Sequence, residues 1–248
     1  MTLEHELVPY HCSELPPGPW LVFAPHADDE TFGMGGALAL AADQGLETHV
    51  VILTDGALGG DGSQPELVST RRSEVAMVCE LLGVSSLQTW PLPDRGLRPD
   101  DAVVERIAAT IADIAPGTVF FPGVLELHPD HRAAALLVWA AMQRLQQRAW
   151  RQLLPQLWSY DISVQSPTNR LLDITATMPV KQRAMAVYVS QNSQNDYPDL
   201  ITALNKARTY TLPPQVHYAE AYYCYDPVQL QGPLHHAALT ALSGYWAN

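Results

Sequence analysis

Positive charge is scarce in this 248-residue chain. It carries 14 lysines and arginines against 26 aspartates and glutamates, which gives a formal net charge of −12 at pH 7. Proteins that bind nucleic acid or anionic membranes without specificity need clustered lysine and arginine side chains to replace the counterions. The composition therefore argues against a nucleic-acid partner, and we expect a well-solvated acidic surface.

Cysteine and long apolar runs are also lacking. Cys12, Cys79 and Cys224 are odd in number, far apart and without a C-x-x-C pair, so we expect free thiols in a reducing compartment. The segment Met1–Tyr10 is acidic and mixed rather than basic and then apolar, and no run has the length of a membrane span. We expect a cytoplasmic protein that does not insert into a membrane.

The size and composition fit one globular domain. The chain is 47% hydrophobic and 16% charged, as in ordinary soluble proteins. A chain of this length can bury one large core without dividing into two domains. It has no internal repeat, low-complexity tract or linker, and we expect a single domain over residues 1–248.

Apolar segments alternate with segments of helical periodicity in the first 150 residues. Strands are predicted at Leu21–Ala24, Glu47–Thr54, Leu87–Trp90 and Val119–Phe121. Helices are predicted at Gly33–Ala42, Glu66–Leu82, Val103–Ile114 and His128–Gln147. The alternation indicates an α/β fold of Rossmann-like type, with a mostly parallel sheet and helices on both faces.

The pattern is less regular in the last third of the chain. Further strands are predicted at Leu157–Val164, Leu171–Ile174 and Glu220–Tyr225, and further helices at Pro179–Val189 and Tyr197–Tyr210. His235 and His236 have no acidic neighbours, and we expect a solvated tail there rather than a second metal site.

Polar clusters follow each of the first four predicted strands. Their members are His26, Asp28, Asp29 and Glu30, then Thr54–Gly56, then Pro93–Arg95, and finally Glu126, His128, Asp130 and His131. In an open α/β sheet the ligand site lies beyond the carboxyl ends of the strands. We therefore expect four separate loops to bring titratable side chains to one edge of the sheet.

The spacing within two of these clusters suits a metal ion. His26 and Asp29 are three residues apart, as are His128 and His131, so each pair can share one face of a helical turn. A lone His-x-x-His is more typical of helix capping, and acidic residues alone complement a helix dipole. Both pairs together, each after a predicted parallel strand, favour a catalytic zinc site with three protein ligands and a water.

Three motifs resemble those of a known family. P-H-x-D-D-E after the first strand, T-D-G after the second and H-P-D-H after the fourth are similar to those of the LmbE-like (PIG-L) deacetylases. That family consists of zinc-dependent enzymes that remove acetyl groups from N-acetylglucosamine derivatives. The likeness extends to Arg71–Glu74, to Asp94 and to Ser190 and Gln191, and covers most of the chain.

The resemblance implies a role for each residue of the first and last motifs. His26, Asp29 and His131 match the zinc ligands, one ion per chain, and Asp28 matches the general base. His128 would stabilise the oxyanion or protonate the departing amine. The implied reaction is attack on an amide carbonyl by a metal-activated water.

The resemblance also implies substrate contacts. Arg71 and Asp94 match residues that bind the sugar, and Asp130 would orient a neighbouring histidine, as partners of metal-bound histidines commonly do. Ala27 replaces a proline common in the family, and Ser73 interrupts an acidic pair. We expect selectivity among small amino-sugar substrates to depend on the glycine-rich loop of residues 56–65, and Gln191 and Glu220 could reach the site.

Two functions from other classes stay open. His26, Asp28 and His131 also match the two-histidine, one-carboxylate triad of non-haem iron oxygenases. That site is usually carried on an all-β jelly roll, whereas this chain alternates strands with helices. A nucleotide-binding module would need a G-x-G-x-x-G motif, which is absent. Within the hydrolases, cleavage of a larger N-acyl conjugate is an alternative. The oligomeric state is not determined, and a homo-oligomer stays open.

Overall fold

A computed structural model describes residue 8 and residues 11–60, 64–148 and 153–243. Its first half alternates strands and helices in the order β1 (Trp20–Ala24), α1 (Asp29–Asp43), β2 (Thr48–Thr54), α2 (Gln64–Leu82), β3 (Ser86–Leu92), α3 (Asp101–Ile114), β4 (Thr118–Pro122) and α4 (Pro129–Gln147). Each predicted element of this half is present, with ends shifted by a few residues. Residues 61–63, inside the glycine-rich loop, lie outside the described part.

The second half of the described chain is less regular. Its elements are β5 (Gln156–Tyr160), β6 (Arg170–Asp173), α5 (Met178–Val187), α6 (Val189–Asn192), α7 (Tyr197–Ala207), β7 (Ala219–Tyr225), a 3₁₀ turn (Pro227–Gln231) and α8 (Leu234–Ser243). Among the described helices, none combines the length and the apolar composition needed to cross a bilayer. The single domain over residues 1–248 stays a prediction.

The strands form one sheet in the order β3-β2-β1-β4-β5-β7-β6. Neighbours from β3 to β5 pair in parallel, and β7 pairs antiparallel with both β5 and β6. The strand order reverses direction between β1 and β4, which creates a crevice at their carboxyl ends. The Rossmann-like, mostly parallel sheet predicted from the sequence is confirmed.

Two hydrophobic layers cover opposite faces of the sheet. Trp20 and Val22 of β1 pack in the layer that includes side chains of α1, α2 and α5. Leu21 and Phe23 pack in the other layer, with side chains of α3 and α4. Because successive strand residues point to opposite faces, the unbroken apolar sequence of β1 is what a strand buried on both sides requires. The predicted helices on both faces are confirmed.

Three elements differ from the prediction. The strand predicted at Leu157–Val164 ends at Tyr160, because amides beyond it donate to the Glu126 carboxylate instead of to a neighbouring strand. The helix predicted at Pro179–Val189 is divided at Tyr188, whose φ of −75° and ψ of 60° are not helical. The expected tail at His235 and His236 is part of α8, which buries Leu234 and Ala237.

Glycines let α1 approach its neighbours closely. A Cβ at Gly36 would lie 2.7 Å from Cβ of Ile174, and a Cβ at Gly33 would lie 2.9 Å from the carbonyl oxygen of Asp161. Both distances are shorter than carbon contacts at optimal separation. The small residues therefore set the distance of α1 from the β5 and β6 ends, and with it the position of the loop that precedes α1.

Lys181 and Glu220 form a buried ion pair beneath α1. The Lys181 Nζ lies 2.7 Å from Oε1 of Glu220, and both side chains are 0% exposed. Glu220 accepts hydrogen bonds from the amides of Gly36 and Ala37, and Lys181 donates to the carbonyl of Phe32. In a regular helix the amide of Gly36 pairs with that same carbonyl. Glu220 and Lys181 thus bind the amide of Gly36 and the carbonyl of Phe32, the donor and the acceptor of one hydrogen bond in a regular helix.

We expect Lys181→Met to lower the free energy of unfolding by about 3–5 kcal/mol, because it leaves the Glu220 carboxylate buried without a counter-charge. Urea denaturation measures the loss. The double variant Lys181→Met/Glu220→Gln should be more stable than the single one, since the charge is then removed. Lys206→Met, at an exposed position of α7, is the control and should change stability by less than about 0.5 kcal/mol.

Candidate metal centre

Loops from four parallel strands meet at the crevice between β1 and β4. They line a cavity of about 460 Å³, which includes residues that follow β1 (His26 and Asp28), β2 (Gly59), β3 (Asp94) and β4 (His128). This volume lies within the usual range for small-molecule sites. Titratable side chains that follow β1, β3 and β4 meet at one edge of the sheet, as predicted, whereas the β2 loop contributes Gly59 and the predicted Thr54–Gly56 does not line the cavity.

His26, Asp29 and His131 contact one another at the base of this cavity. Asp29 Oδ2 lies 3.0 Å from Nδ1 of His26 and 3.2 Å from Nε2 of His131. The same oxygen accepts the backbone amide of His26 at 2.9 Å. Asp29 is the first residue of α1 and His131 lies in the first turn of α4, so two helices on opposite faces of the sheet supply the cluster.

His128 adds a third imidazole. Nitrogens of His26, His128 and His131 lie within 4.8 Å of one another and could hold a metal ion. His128 is the N-cap of α4, and its Nδ1 accepts the amide of Asp130 at 3.1 Å. Since Nδ1 is an acceptor here, Nε2 is the nitrogen that carries the proton in neutral His128 and is available to a ligand.

Asp28 has an unusual backbone conformation. Its φ of 151° lies in the region that favours glycine, and such strain in a non-glycine residue is typical of functional sites. The amide of Asp28 donates to Oε2 of Glu30 at 3.1 Å. Glu30 is fully buried and also accepts the hydroxyls of Thr31 and Tyr188. These contacts hold the backbone of Asp28, so that its carboxylate lines the cavity.

Asp94 and Asp130 form a second carboxylate group around His26. An oxygen of each lies 3.3 Å from Nε2 of His26. Backbone amides of Arg95 and Leu97 donate to Asp130 at 2.7 and 3.2 Å. Asp130 was expected to orient a neighbouring histidine; its carboxylate contacts His26, which is distant in sequence, while its amide contacts His128. Asp94 also accepts an amide of the β2 loop.

Arg71 connects α2 to this cluster. Its guanidinium lies 3.4 Å from Oδ1 of Asp28 and donates to the carbonyl of Ala27 at 3.0 Å and to that of Gly56 at 3.4 Å. Arg71 is 2% exposed, so its charge opposes the desolvation of Asp28. Arg71 and Asp94 both line the cavity, as a role in substrate binding requires.

The cluster contains more carboxylates than cations, and the pKa values reflect this. Burial opposes protonation of His26, yet hydrogen bonds to Asp130, Asp29 and Asp94 raise its pKa well above the ordinary value. Burial likewise opposes protonation of His131, but Asp29 raises its pKa to about 9. Burial raises the pKa of Asp28 to about 7, although Arg71 opposes the rise. The carboxylates therefore stabilise positive charge at this position.

Leu127, Pro129 and four further apolar residues of the cavity wall were not predicted as site residues. Phe32, Ile162, Tyr197 and Ile201 line it together with the polar cluster. Phe32 lies one helical turn after Asp28, and this spacing was a usable signal. The other three lie after β5 and on α7, and no motif marks them. Of the two residues that could reach the site, Gln191 lines the cavity, whereas Glu220 lies beneath α1.

Comparison with known proteins identifies the family. Residues 21–142 match the PIG-L profile, described as GlcNAc-PI de-N-acetylase. The chain is 31% identical over 184 residues to the diacetylchitobiose deacetylase of Thermococcus kodakarensis, and the match covers 69% of each protein. The chain belongs to the PIG-L family. The family inferred from the sequence motifs is thereby confirmed.

A solved structure and a further curated relative are also similar to this chain. The conserved protein TT1542 from Thermus thermophilus superposes with a TM-score of 0.74 at 30% identity, over 84% of this chain and 94% of that one. The 4-oxalmesaconate hydratase of Pseudomonas putida is 31% identical over 104 residues, which cover 39% of this chain and 40% of that one. The region matched to PIG-L contains every predicted metal, catalytic and sugar-binding residue, but not Ile162, Tyr197 or Ile201.

We expect Arg71→Gln to destabilise the protein by about 1–3 kcal/mol, because it leaves the carbonyls of Ala27 and Gly56 without their donor, whereas Asp28, whose pKa is already about 7, can take up a proton. Chemical denaturation measures the change. Arg148→Gln is the matched control. Arg148 pairs with Glu105 at an exposed position, where an ion pair contributes about 1 kcal/mol or less. Equal effects of the two substitutions would contradict the contribution of the buried hydrogen bonds.

Proposed function

We propose that this PIG-L protein is a zinc-dependent deacetylase that removes the N-acetyl group from an N-acetylglucosamine-type amino sugar or conjugate. The observation that carries the proposal is the Asp28 carboxylate, held in a strained conformation beside the His26, Asp29 and His131 cluster at the base of an open cavity. The family profile and the diacetylchitobiose deacetylase relative support the same reaction.

The donor set fits a divalent metal. Imidazole nitrogens and a carboxylate oxygen are the ligands of catalytic zinc sites, and His26, Asp29 and His131 would hold the ion. Asp28, Asp94 and Asp130 add negative charge nearby, and the elevated pKa values of two histidines indicate that positive charge is favoured there. When bound, zinc lowers the pKa of water and polarises an amide carbonyl. We expect one ion per chain.

Asp28 is suited to accept a proton from the attacking water. Its pKa is raised to about 7 by burial, and a general base acts best when its pKa lies near the working pH. The Arg71 guanidinium 3.4 Å away favours the ionised form of the carboxylate, since it opposes the rise in the pKa of Asp28. As the water oxygen bonds to the amide carbon, its proton passes to Asp28, which can later return it.

His128 is suited to assist departure of the amine. Its Nδ1 is engaged with the amide of Asp130, which leaves Nε2–H to donate to the carbonyl oxygen or to the nitrogen as the C–N bond breaks. The nitrogen must gain a proton before it leaves, and His128 and protonated Asp28 are the two candidate donors. The products are acetate and the free amino sugar.

Two groups are proposed to bind the sugar. Asp94 lines the cavity on the β3 side, and a carboxylate there can accept hydroxyl hydrogen bonds. Arg71 lines the same side and can donate to a hydroxyl. Asp130 contacts Nε2 of His26 at 3.3 Å, so we assign it a positioning role. The proposed substrate is a small molecule, and the free thiols of Cys12, Cys79 and Cys224 support a reducing compartment such as the cytoplasm.

A second candidate reaction is the addition of water to a carbon–carbon double bond. The relative from Pseudomonas putida named as a hydratase motivates it, since a base beside a metal-bound water can serve either reaction. Release of acetate from N-acetylglucosamine derivatives distinguishes the two. A protein that binds zinc, releases no acetate and hydrates an unsaturated acid would overturn the proposed deacetylase function.

We expect Asp28→Asn to bind zinc normally and to lose activity by about 10²–10⁴-fold in kcat, the usual contribution of a general base. Acetate release and elemental analysis measure the two quantities on the same preparation. Asp113→Asn, an exposed aspartate on α3, is the control and should retain full activity. An Asp28→Asn protein that turns over at the wild-type rate would remove Asp28 from this role.

We expect about one zinc ion per chain in the wild type and none in His131→Ala after dialysis. The imidazole of His131 contacts Asp29 Oδ2 at 3.2 Å, so its loss removes one of three donors. His217→Ala, at an exposed position, should retain the metal. A chelator should abolish activity and added zinc should restore it; full metal content in His131→Ala would contradict the assigned ligand set.

A further inference from the structure

His131 lies between two carboxylates. Its Nε2 is 3.2 Å from Oδ2 of Asp29, on the side of the proposed metal ligands, and its Nδ1 is 3.5 Å from Oε2 of Glu126. Nδ1 is buried, and no described residue makes a regular hydrogen bond to it. The charged group that faces this nitrogen is therefore the Glu126 carboxylate, a side chain to which the proposed reaction assigns no part.

The orientation of the ring determines which nitrogen of His131 can bind a metal ion. Nε2 faces Asp29, so it is the nitrogen offered to an ion at the cluster. An imidazole that binds a metal through one nitrogen carries its proton on the other. Histidine ligands commonly donate that proton to a carboxylate, which fixes the ring and makes it a better ligand. Glu126 lies where such an acceptor is needed.

Donors from the loop after β5 hold the Glu126 carboxylate, which is 1% exposed. Its Oε1 accepts the amide of Ile162 at 2.7 Å, and its Oε2 accepts the hydroxyl of Ser163. The amide of Ser163 lies 3.1 Å from both oxygens. Such bonds favour the charged form of a buried carboxylate. Since an ionised carboxylate has about four acceptor positions, Oε2 can still accept a proton from His131.

The His26 ring has a similar environment. Its Nδ1 lies 3.0 Å from the same oxygen of Asp29, and its Nε2 lies 3.3 Å from Oδ2 of Asp130. Each of the two proposed histidine ligands thus has one nitrogen directed at Asp29 and the other directed at a carboxylate outside the ligand set. For His131 that carboxylate is Glu126.

We propose that Glu126 is a positioning residue of the metal centre, which accepts the Nδ1 proton of His131 and so presents Nε2 to the ion. The proposal rests on the zinc site of the proposed function. Glu126 does not line the cavity, so it acts through His131 and not on the substrate. The alternative is a purely structural role, in which Glu126 only ends β5 and fixes the loop that follows. That role predicts the same metal affinity whether or not the side chain can accept the proton.

We expect Glu126→Gln to raise the Kd for zinc by about 10–100-fold, the usual effect of losing such a partner. Glutamine has the size of glutamate, and its oxygen can still accept the loop amides, but its NH2 group cannot accept the Nδ1 proton. Titration of the metal-free protein with zinc against a coloured chelator measures the Kd. Ser163→Ala is the control, because it removes the hydroxyl that binds the same oxygen of Glu126 and does not alter His131. It should keep the wild-type Kd.

A wild-type Kd in folded Glu126→Gln would overturn the positioning role and leave the zinc site intact. An equal rise in Ser163→Ala would also overturn it, since the loop would then account for the effect. A wild-type protein that binds no zinc would overturn the metal site and the role of Glu126 together. Circular dichroism and thermal unfolding of the metal-free proteins verify that both variants are folded.

The zinc-loaded wild type decides the question if Glu126→Gln does not fold. Long-range proton–nitrogen NMR of protein with isotope-labelled histidine shows which imidazole nitrogen carries the proton and which one binds the ion. Contacts of the ring protons with neighbouring residues of α4 assign the signals of His131. We expect a slowly exchanging proton on Nδ1 and a metal-bound Nε2, which a purely structural role does not require. A metal-bound or unprotonated Nδ1 would overturn the proposal.

Discussion

The position of α1 depends on the ion pair of Lys181 and Glu220 buried beneath it. Glu220 comes from β7, Lys181 comes from α5, and Asn205 of α7 accepts a further hydrogen bond from the lysine. Both charges contact backbone groups in the interior of α1, so three separate elements fix the helix by one polar network. Because Asp28 and Asp29 lie at the start of α1, a shift of this helix would move both carboxylates.

The site is organised around an excess of negative charge in a buried setting. Three carboxylates contact the two ring nitrogens of His26, and the described lining of the cavity includes two arginines, Arg71 and Arg95. Burial of unpaired carboxylates is costly, so such a cluster is stable only when protons or a cation occupy it. Protonated His26 and His131, whose pKa values are raised, offset part of this negative charge. A divalent ion bound here would offset more of it.

Much of the fold and the polar half of the site could be predicted from the sequence. Continuous apolar runs indicate buried strands, and a 3.6-residue period indicates helices, and neither pattern depends on distant contacts. The loops that follow parallel strands lie at one edge of the sheet, so their polar side chains could be expected to meet. Contacts between residues far apart in sequence have no such signal. The 104-residue separation of His26 and Asp130, the termination of β5 by Glu126 and the apolar wall from α7 all depend on tertiary packing.

The strained backbone of Asp28 limits how this protein could be stabilised. At a φ of 151° glycine would be less strained than aspartate, since it lacks the Cβ that makes this region unfavourable. A glycine at this position would relieve the strain and remove the carboxylate at the same time. Under the proposed function, the substitution that relaxes this backbone would also remove the general base, so stabilising the protein at this residue would reduce its activity.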